Sequence, residues 1–514
     1  MHWADVMARQ LLERGGGQLI STGISPSGFI HVGSLREAIT AEAVRKSLVE
    51  MGEDARMIYL VDSFDPLRRR YGFLPESFED EVGRPISHIP CPCGKHDSYA
   101  HHFIKPFLDS LDELGVHCDV LWTDRLYAEG RFEDAIDRVF ENRESVIRIL
   151  REVTGRDVPD DYVPYTPRCS ECGRFNGARV LSYSRPYVEY ECDCGHSGKA
   201  DIRKDEGKLP WRIEWPAKWA IFGVTCEPFG KDHAAAGGSY DTGAVFAREV
   251  FDIDPPTPIR YEFVQLKGKG QMHKSAGASV TGVDAIRMVP AAVLNFHMLK
   301  YNPERHIDYD SGMGILDIVD EYDRVERSYF SDRDVDEDLL RTYELSQPYG
   351  VRSSLPLQIP YRHLVNVVQM TDDLEGVLEV LRRTEDLSGM EQDDVDVLAQ
   401  RVECVKYWLN GFAPERVKFS LLDSLPDVDL AEAEVGYLRS LRATLEAAEW
   451  DGESLHDVIY ESAKASEIGS KKAFQVMYRI LIGRRSGPRL GHFLATMERA
   501  FVLDRIDEAV DTYS

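Results

Sequence analysis

The sequence predicts an α/β fold on a doubly wound parallel sheet, broken by a cysteine-bearing segment and followed by an all-helical C-terminal part. Three observations carry this expectation. Residues 18–62 read as strand, helix, strand. Two cysteine groups fall between residues 85 and 205, where that rhythm stops. From about Tyr361 onward the texture is helical.

The first unit can be followed residue by residue. Leu19-Ile20-Ser21-Thr22 is a short strand, and Gly23-Ile24-Ser25-Pro26-Ser27-Gly28 is the turn after it. A helix runs from about His31 to Met51, with Gly52 as its C-terminal cap. Met57-Ile58-Tyr59-Leu60-Val61 is a continuous apolar run, the pattern of a strand buried on both faces. Strand, helix, strand in this order argues for a doubly wound sheet. The α/β texture resumes near Trp211, and Tyr261-Glu262-Phe263-Val264-Gln265-Leu266 reads as a further strand. A loop, Lys267-Gly268-Lys269-Gly270, follows it. In the C-terminal part Ala473, Val476, Met477, Ile480 and Leu481 repeat at i, i+3, i+4, and Glu432 to Trp450 is rich in helix formers. Pro356 and Pro360 mark 346–360 as a linker.

Composition bounds the function. The chain has 514 residues, enough for about three to four domains. No apolar run reaches the ~18 residues of a membrane span. The polar start Met1-His2-Trp3-Ala4-Asp5 has no signal-peptide pattern, so a soluble, cytoplasmic protein is expected. Lys and Arg total 61 against 88 Asp and Glu, a formal charge of −27. A field of that sign opposes nucleic acid, so any such partner must be met by local basic patches. Of the nine cysteines, Cys118, Cys226 and Cys404 are isolated, small and apolar in character. The others are grouped, and grouped cysteines in a cytosolic chain read as metal ligands before disulfides. Cys169-x2-Cys172 and Cys192-x-Cys194 are two knuckles with 19 residues between them, near the spacing of zinc ribbons. Gly173 and Gly195 follow the knuckles and suit their tight turns. Cys91-Pro92-Cys93-Gly94-Lys95-His96 with His102 has ligands for a second zinc.

Two segments carry candidate chemistry. Pro26-Ser27-Gly28-Phe29-Ile30-His31-Val32-Gly33-Ser34 lies between a strand and a helix, where free amides and the helix dipole favour an anion. Gln271-Met272-His273-Lys274-Ser275-Ala276-Gly277 lies ~240 residues later, and Lys274 is a mobile cation suited to phosphates that gain charge in a transition state. Each alone has a plain alternative: a Gly-rich turn common to many nucleotide binders, and a surface loop.

Together the two segments resemble the HIGH and KMSKS signatures of class I aminoacyl-tRNA synthetases. Ser34 replaces the last His of the first signature, Gln271 the first Lys of the second, and His273 its Ser; Lys274 is retained. Gly23 to Gly28, Val61-Asp62-Ser63-Phe64-Asp65-Pro66-Leu67-Arg68, Trp211-Arg212-Ile213-Glu214-Trp215-Pro216 and Gly230-Lys231-Asp232-His233 are similar to class I lysyl-tRNA synthetases of the archaeal type. The likeness runs from residue 1 to about 345 and continues as a helical domain.

The resemblance implies an α/β Rossmann-type catalytic domain in two halves, 1–84 and 206–290, around a zinc-bearing insertion, 85–205. It further implies a stem-contact region, 291–345, and an α-helical anticodon-binding domain, 346–514. It implies ATP and lysine as substrates, Mg²⁺ with the nucleotide, Zn²⁺ in the insertion, and tRNA(Lys) as partner of a monomer. The lysine carboxylate would attack the α-phosphate of ATP, and the lysyl group would pass to the 2′-hydroxyl of the terminal adenosine of tRNA. Such chemistry needs positioning and electrostatic stabilisation rather than a side-chain nucleophile. Efficient activation of lysine is expected to require tRNA.

Carried over residue by residue, His31, Gly33, Ser34, Met272, His273, Lys274 and Ser275 are catalytic. Pro26, Ser27 and Gly28 join His31 and Lys274 around ATP. Gly23, Ser25, Asp62, Trp211, Asp232 and His233 border the amino acid, with the two aspartates near its cationic groups. Trp211, Trp215 and Trp219 are equally readable as one buried helix stripe, and His233 as a structural histidine. At the second metal group a cysteine is expected where Lys95 stands, which leaves Cys93 as its substitute.

Lys471, Lys472, Arg479, Arg484, Arg485 and Arg489 lie in a stretch with no acidic residue, a candidate contact for the anticodon stem-loop. Tyr407, Trp408 and Phe412 are candidates for base stacking. Rival readings are a glutamyl- or arginyl-type synthetase, a small-molecule nucleotidyltransferase, and a zinc-dependent RNA-binding protein. A glutamate pocket would need Arg or Lys facing the substrate side chain, and the turn at 23–28 contains neither.

Overall fold

The computed structural model describes residues 1–267, 270–271, 280–331, 336–371 and 373–513, and divides the chain into two compact units. The first comprises residues 1–286, 291–310 and 331–352; the second comprises 287–290, 311–330 and 353–514.

The first unit is built on a five-stranded parallel sheet. Its strands are β1 (Gln18–Ile24), β2 (Ala55–Val61), β3 (Asp119–Trp122), β4 (Cys226–Gly230) and β5 (Thr257–Tyr261). Their spatial order is β5-β4-β1-β2-β3, so the winding reverses between β1 and β4. The centre of the sheet explains its sequence. β4 is buried throughout, and β2 along all but Arg56, because helices cover both faces. Gly23 sits where a Cβ would lie 2.4 Å from the carbonyl oxygen of Leu60, so only glycine lets β1 and β2 close at their carboxyl ends.

Helix α1 (Trp3–Leu12) and α2 (Leu35–Glu50) precede and follow β1. α2 begins one short turn, Val32–Ser34, after His31, and the chain leaves it at Gly52 with φ +87°. Two departures from the sequence reading have local causes. β3 falls inside the segment read as an insertion. It is a four-residue edge strand with no fully buried side chain, too short to announce itself. The strand read as 261–266 is two elements. Tyr261 ends β5, while Val264–Leu266 joins a small sheet with Gly270–Gln271 and Ile307–Tyr309.

The cysteine-bearing segment holds a three-stranded antiparallel sheet, Ala178–Ser184, Tyr187–Cys192 and Ser197–Asp201. Its base, Thr166–Pro167 against Gly207–Lys208, leads into α3 (Trp211–Phe222). The second unit is helical. Its core gathers Leu438, Leu441, Val476, Met477, Ile480, Leu481 and Ile506, so the i, i+3, i+4 pattern of 473–481 is the buried face of Gly469–Ile482. Gly314–Tyr329 also belongs here, held by the buried pair of Arg401 with Asp323.

Candidate active site

A cavity of about 650 Å³ opens at the carboxyl ends of the parallel strands, where the winding reverses. Doubly wound sheets bind ligands at this position, because the loops on either side diverge there. Gly23 and Ser25 reach it from the end of β1, Asp62 from the end of β2, and Asp232 and His233 from the turn after β4. His31, Gly33 and Ser34 enter at the start of α2, and Trp211 at the start of α3. Nine of the residues singled out from the sequence therefore line one cavity.

Three do not line it. Pro26, Ser27 and Gly28 shape the turn instead: Ser27 N–H donates to the Ser25 carbonyl at 2.9 Å, and Tyr99 Oη–H to the Ser27 carbonyl at 2.7 Å. Met272, His273, Lys274 and Ser275 lie outside the described residues. Just after them the chain returns to the site. Val32 N–H donates to the Val280 carbonyl at 3.0 Å, and His31 bridges Thr281.

The tryptophan stripe is both wall and core. Trp211 and Trp215 stack at 5.4 Å and face the cavity, with His233 5.4 Å from Trp211, while Trp219 is fully buried. Beneath them lies a carboxyl that sequence reading missed. Glu227 accepts from Trp215 Nε1 at 2.6 Å and from Trp219 Nε1, and it borders the cavity. Burial pushes its carboxyl up to about 8, against the pull of both indole donors. Glu37, on the first turn of α2, was missed as well. It accepts from Gly23 N–H at 3.2 Å and Tyr261 Oη–H at 2.5 Å. The signal for Glu227 was a charge in an otherwise apolar central strand; Glu37 had none beyond its place in a first helical turn.

Asp62 has a partner from its own chain. Lys218 binds it and also stands 3.4 Å from Glu214. Glu214 is 3.1 Å from Lys208, which pairs with Asp65 at 2.5 Å. Three carboxylates and two ammonium groups form one buried cluster, so as ions they leave one negative charge beside the cavity. Burial and the neighbouring carboxylates raise the Asp62 carboxyl, with Lys218 opposing them. Asp232 is exposed, 3.4 Å from His233 Nε2.

The grouped cysteines converge in two places. Around the knuckles, Cys169 Sγ lies 3.6 Å from Cys194 Sγ and Cys172 Sγ 3.8 Å from Cys192 Sγ. Gly173 and Gly195 have φ of +73° and +90°, the left-handed conformation a tight knuckle needs. In the other group Cys91 Sγ lies 3.4 Å from Cys93 Sγ, 3.3 Å from His96 Nδ1 and 3.6 Å from His102 Nδ1. Four ligands about 2.3 Å from a tetrahedral zinc stand roughly 3.8 Å apart, so both donor sets fit that ion.

In the second unit, Lys471, Lys472, Arg484, Arg485 and Arg489 are exposed, while Arg479 donates to the Asp429 carbonyl and faces Glu434 at 3.4 Å. Trp408 corrects the stacking expectation. It is fully buried, with Nε1–H donating to the Ser311 carbonyl at 2.9 Å, and offers no face to a base. Tyr407 and Phe412 are partly exposed, 6.0 Å apart.

A doubly wound parallel sheet with its ligand cavity at the winding reversal, an anion-type turn opening a helix, and a helical second unit define the class. The chain belongs to the class I (K) tRNA synthetases, whose family model matches residues 1–349, and residues 374–510 match an anticodon binding domain. It is similar along its whole length to lysine–tRNA ligases. That of Picrophilus torridus is 42% identical over 507 residues, 98% of both chains. That of Archaeoglobus fulgidus is 42% identical over 514 residues, 99% of this chain and all of the other. The Thermoplasma acidophilum protein is 41% identical over 511 residues, 99% of both.

Proposed function

We propose that the chain is a lysine–tRNA ligase, which joins lysine to ATP as lysyl-adenylate with release of pyrophosphate and then transfers the lysyl group to tRNA(Lys). The observation that carries this is full-length likeness to lysine–tRNA ligases. The cavity agrees with a cationic substrate: Glu37, Asp62, Asp65, Glu227 and Asp232 border it, with Lys218 and Arg68 as opposing cations. An ammonium in a closed pocket needs such acidic partners or an aromatic face, and Trp211 supplies the face. A glutamate site would need the reverse balance.

In this reading the amides at the start of α2, with His31, hold phosphate from one half of the sheet, and Lys274 meets it from the other. ATP brings Mg²⁺ with it. Trp211, His233 and Gly23 hold the amino acid so that its carboxylate faces the α-phosphate. The two Cys and Cys/His groups hold structural Zn²⁺, and the helical C-terminal part binds the anticodon arm. The protein works as a monomer in the cytoplasm; no helix among the described residues is long and apolar enough to cross a membrane. Charging of tRNA with each amino acid separately, with and without ATP, tests the reading. Lysine should be transferred; efficient glutamate or arginine transfer with lysine inert would overturn the lysine assignment and leave the synthetase class standing.

A further inference from the structure

Beside the cavity, and reaching into it at Arg68, lies a basic and aromatic strip. Arg68-Arg69-Arg70-Tyr71-Gly72-Phe73 follows the aspartate turn after β2, and Arg68 lines the cavity itself. Arg68 and Arg69 are exposed and make no ion pair among the described residues. In a chain of charge −27, that is a local exception. Arg70 has a different task. It faces Glu79 at 3.4 Å and donates to the Leu74 carbonyl at 3.0 Å, which pins the loop. Glu81 is occupied by Arg84 at 3.1 Å.

Aromatic rings continue the strip. The Arg69 guanidinium stands over Tyr71 at 5.4 Å. Tyr71 and Phe73 lie nearly parallel, 5.5 Å apart, and Phe73 is 5.0 Å from Phe29. Phe29 is 42% exposed, two residues before His31, in the turn that opens α2. Phe29 and Phe73 rest on the buried Phe103 at 5.3 and 5.6 Å, so the inner edges of the rings are anchored in an apolar core while Phe29 keeps its outer side open. Exposed cations alternating with half-open rings are what single-stranded nucleic acid requires: charge for the phosphates, π-faces for successive bases, and no demand on sequence.

We infer that Arg68, Arg69, Tyr71, Phe73 and Phe29 form the track along which the unpaired 3′ end of tRNA enters the cavity. Backbone phosphates meet the two arginines, and the bases stack on the rings. The inference rests on the proposed ligase function, since it is the terminal adenosine that must reach the activated amino acid. It adds the residues that deliver it, and these act by positioning.

The test is equilibrium binding of the full chain to intact tRNA and to the same tRNA lacking its unpaired 3′ nucleotides. Wild type should lose about tenfold in affinity on that removal, in line with one or two stacked bases. In the double variant Arg69→Ala, Tyr71→Ala the loss should shrink to less than about twofold. Tyr71→Phe, which keeps the ring, should retain the wild-type ratio. A double variant with the full wild-type loss would overturn the inference. So would a wild type indifferent to the 3′ end, or a Tyr71→Phe variant whose loss shrinks as far as that of the double variant. Because each readout is a ratio within one protein, a general loss of stability does not mimic the result. Wild type that charges no tRNA would instead defeat the functional reading on which the inference rests.

Discussion

At the scale of single residues, Glu227 is the group whose charge state has consequences. Its carboxyl is pushed up to about 8 by burial, so it is mostly neutral in the empty cavity at pH 7. A cation entering beside it favours the ionised form, and binding should release a proton. Calorimetry of lysine binding at pH 7 in buffers of different ionisation enthalpy should show release approaching one proton; a buffer-independent enthalpy would refute it. A carboxyl whose folded value lies above its unfolded one (~4.3) contributes stability fully present below the unfolded value, lost as pH rises through about 8. Glu227→Gln should therefore gain on wild type in denaturant midpoint between pH 5 and 9. Lys274→Ala belongs at this scale too. It should slow adenylate formation by ~10²-fold while lysine affinity changes little, because the contact grows in the transition state. Near-normal adenylate formation would remove Lys274 from the site. What sequence reveals at this scale follows from chain locality. Gly23, Ser25, His31, Asp62 and Trp211 sit in contiguous motifs, whereas Glu37 and Tyr261 become neighbours only when β5 is placed near the start of α2. Lys218 as the partner of Asp62, 156 positions away, has no local signature either.

At the scale of elements, the cysteine-bearing segment adds its two ligand clusters to an apolar core that it shares with the parallel sheet, where Phe175, Val188, Tyr190, Ala200 and Ile202 are buried in one cluster with Phe64, Tyr127 and Ile213. Its antiparallel sheet has one strand, Ala178–Ser184, with no fully buried position; Tyr183 stacks on Phe140 at 3.8 Å from one end, and the knuckle at Cys192 lies opposite Ala178 at the other. The spacing of the cysteines made this arrangement legible, because ligand geometry constrains short sequence intervals. β3 in the same segment was illegible, because an edge strand of four residues needs its neighbour to exist. Elemental analysis of purified protein should find two zinc per chain; one would support the ribbon alone, and none would exclude both sites. Cys172→Ser should cost the ribbon its ion and lower the melting temperature. The effect should reach the cavity, since the ribbon's base strand carries Lys208, whose ammonium meets Asp65. A rise in KM for lysine in that variant, restored by no other metal-independent change, would trace this route; unaltered KM with zinc lost would deny it.

At the scale of the whole molecule, the two units share the chain unequally, and this decides how tRNA contact should be tested. Removing everything after about residue 350 is the cut the sequence suggests. Yet Gly314–Tyr329 is packed in the helical unit, where Asp323 meets Arg401 in a buried pair and Glu326 accepts from Gln358 at 2.6 Å. The cut would strand that helix with Asp323 stripped of its partner, and lost activity would report misfolding as readily as lost contact. Substitution in the full chain avoids this. Lys471, Lys472, Arg484 and Arg485 are exposed, and none of the four ends in an ion pair among the described residues. If they meet phosphates of the anticodon arm, each contact releases counterions, so the logarithm of affinity falls with the logarithm of salt by roughly 0.7–0.9 per phosphate. Replacing all four by Ala should weaken tRNA binding and flatten that slope by about one unit for every contact removed, with ATP and lysine affinities unchanged. An unaltered slope would mean that the basic run is only a solvated helix face and turn, and that the anticodon arm is met elsewhere.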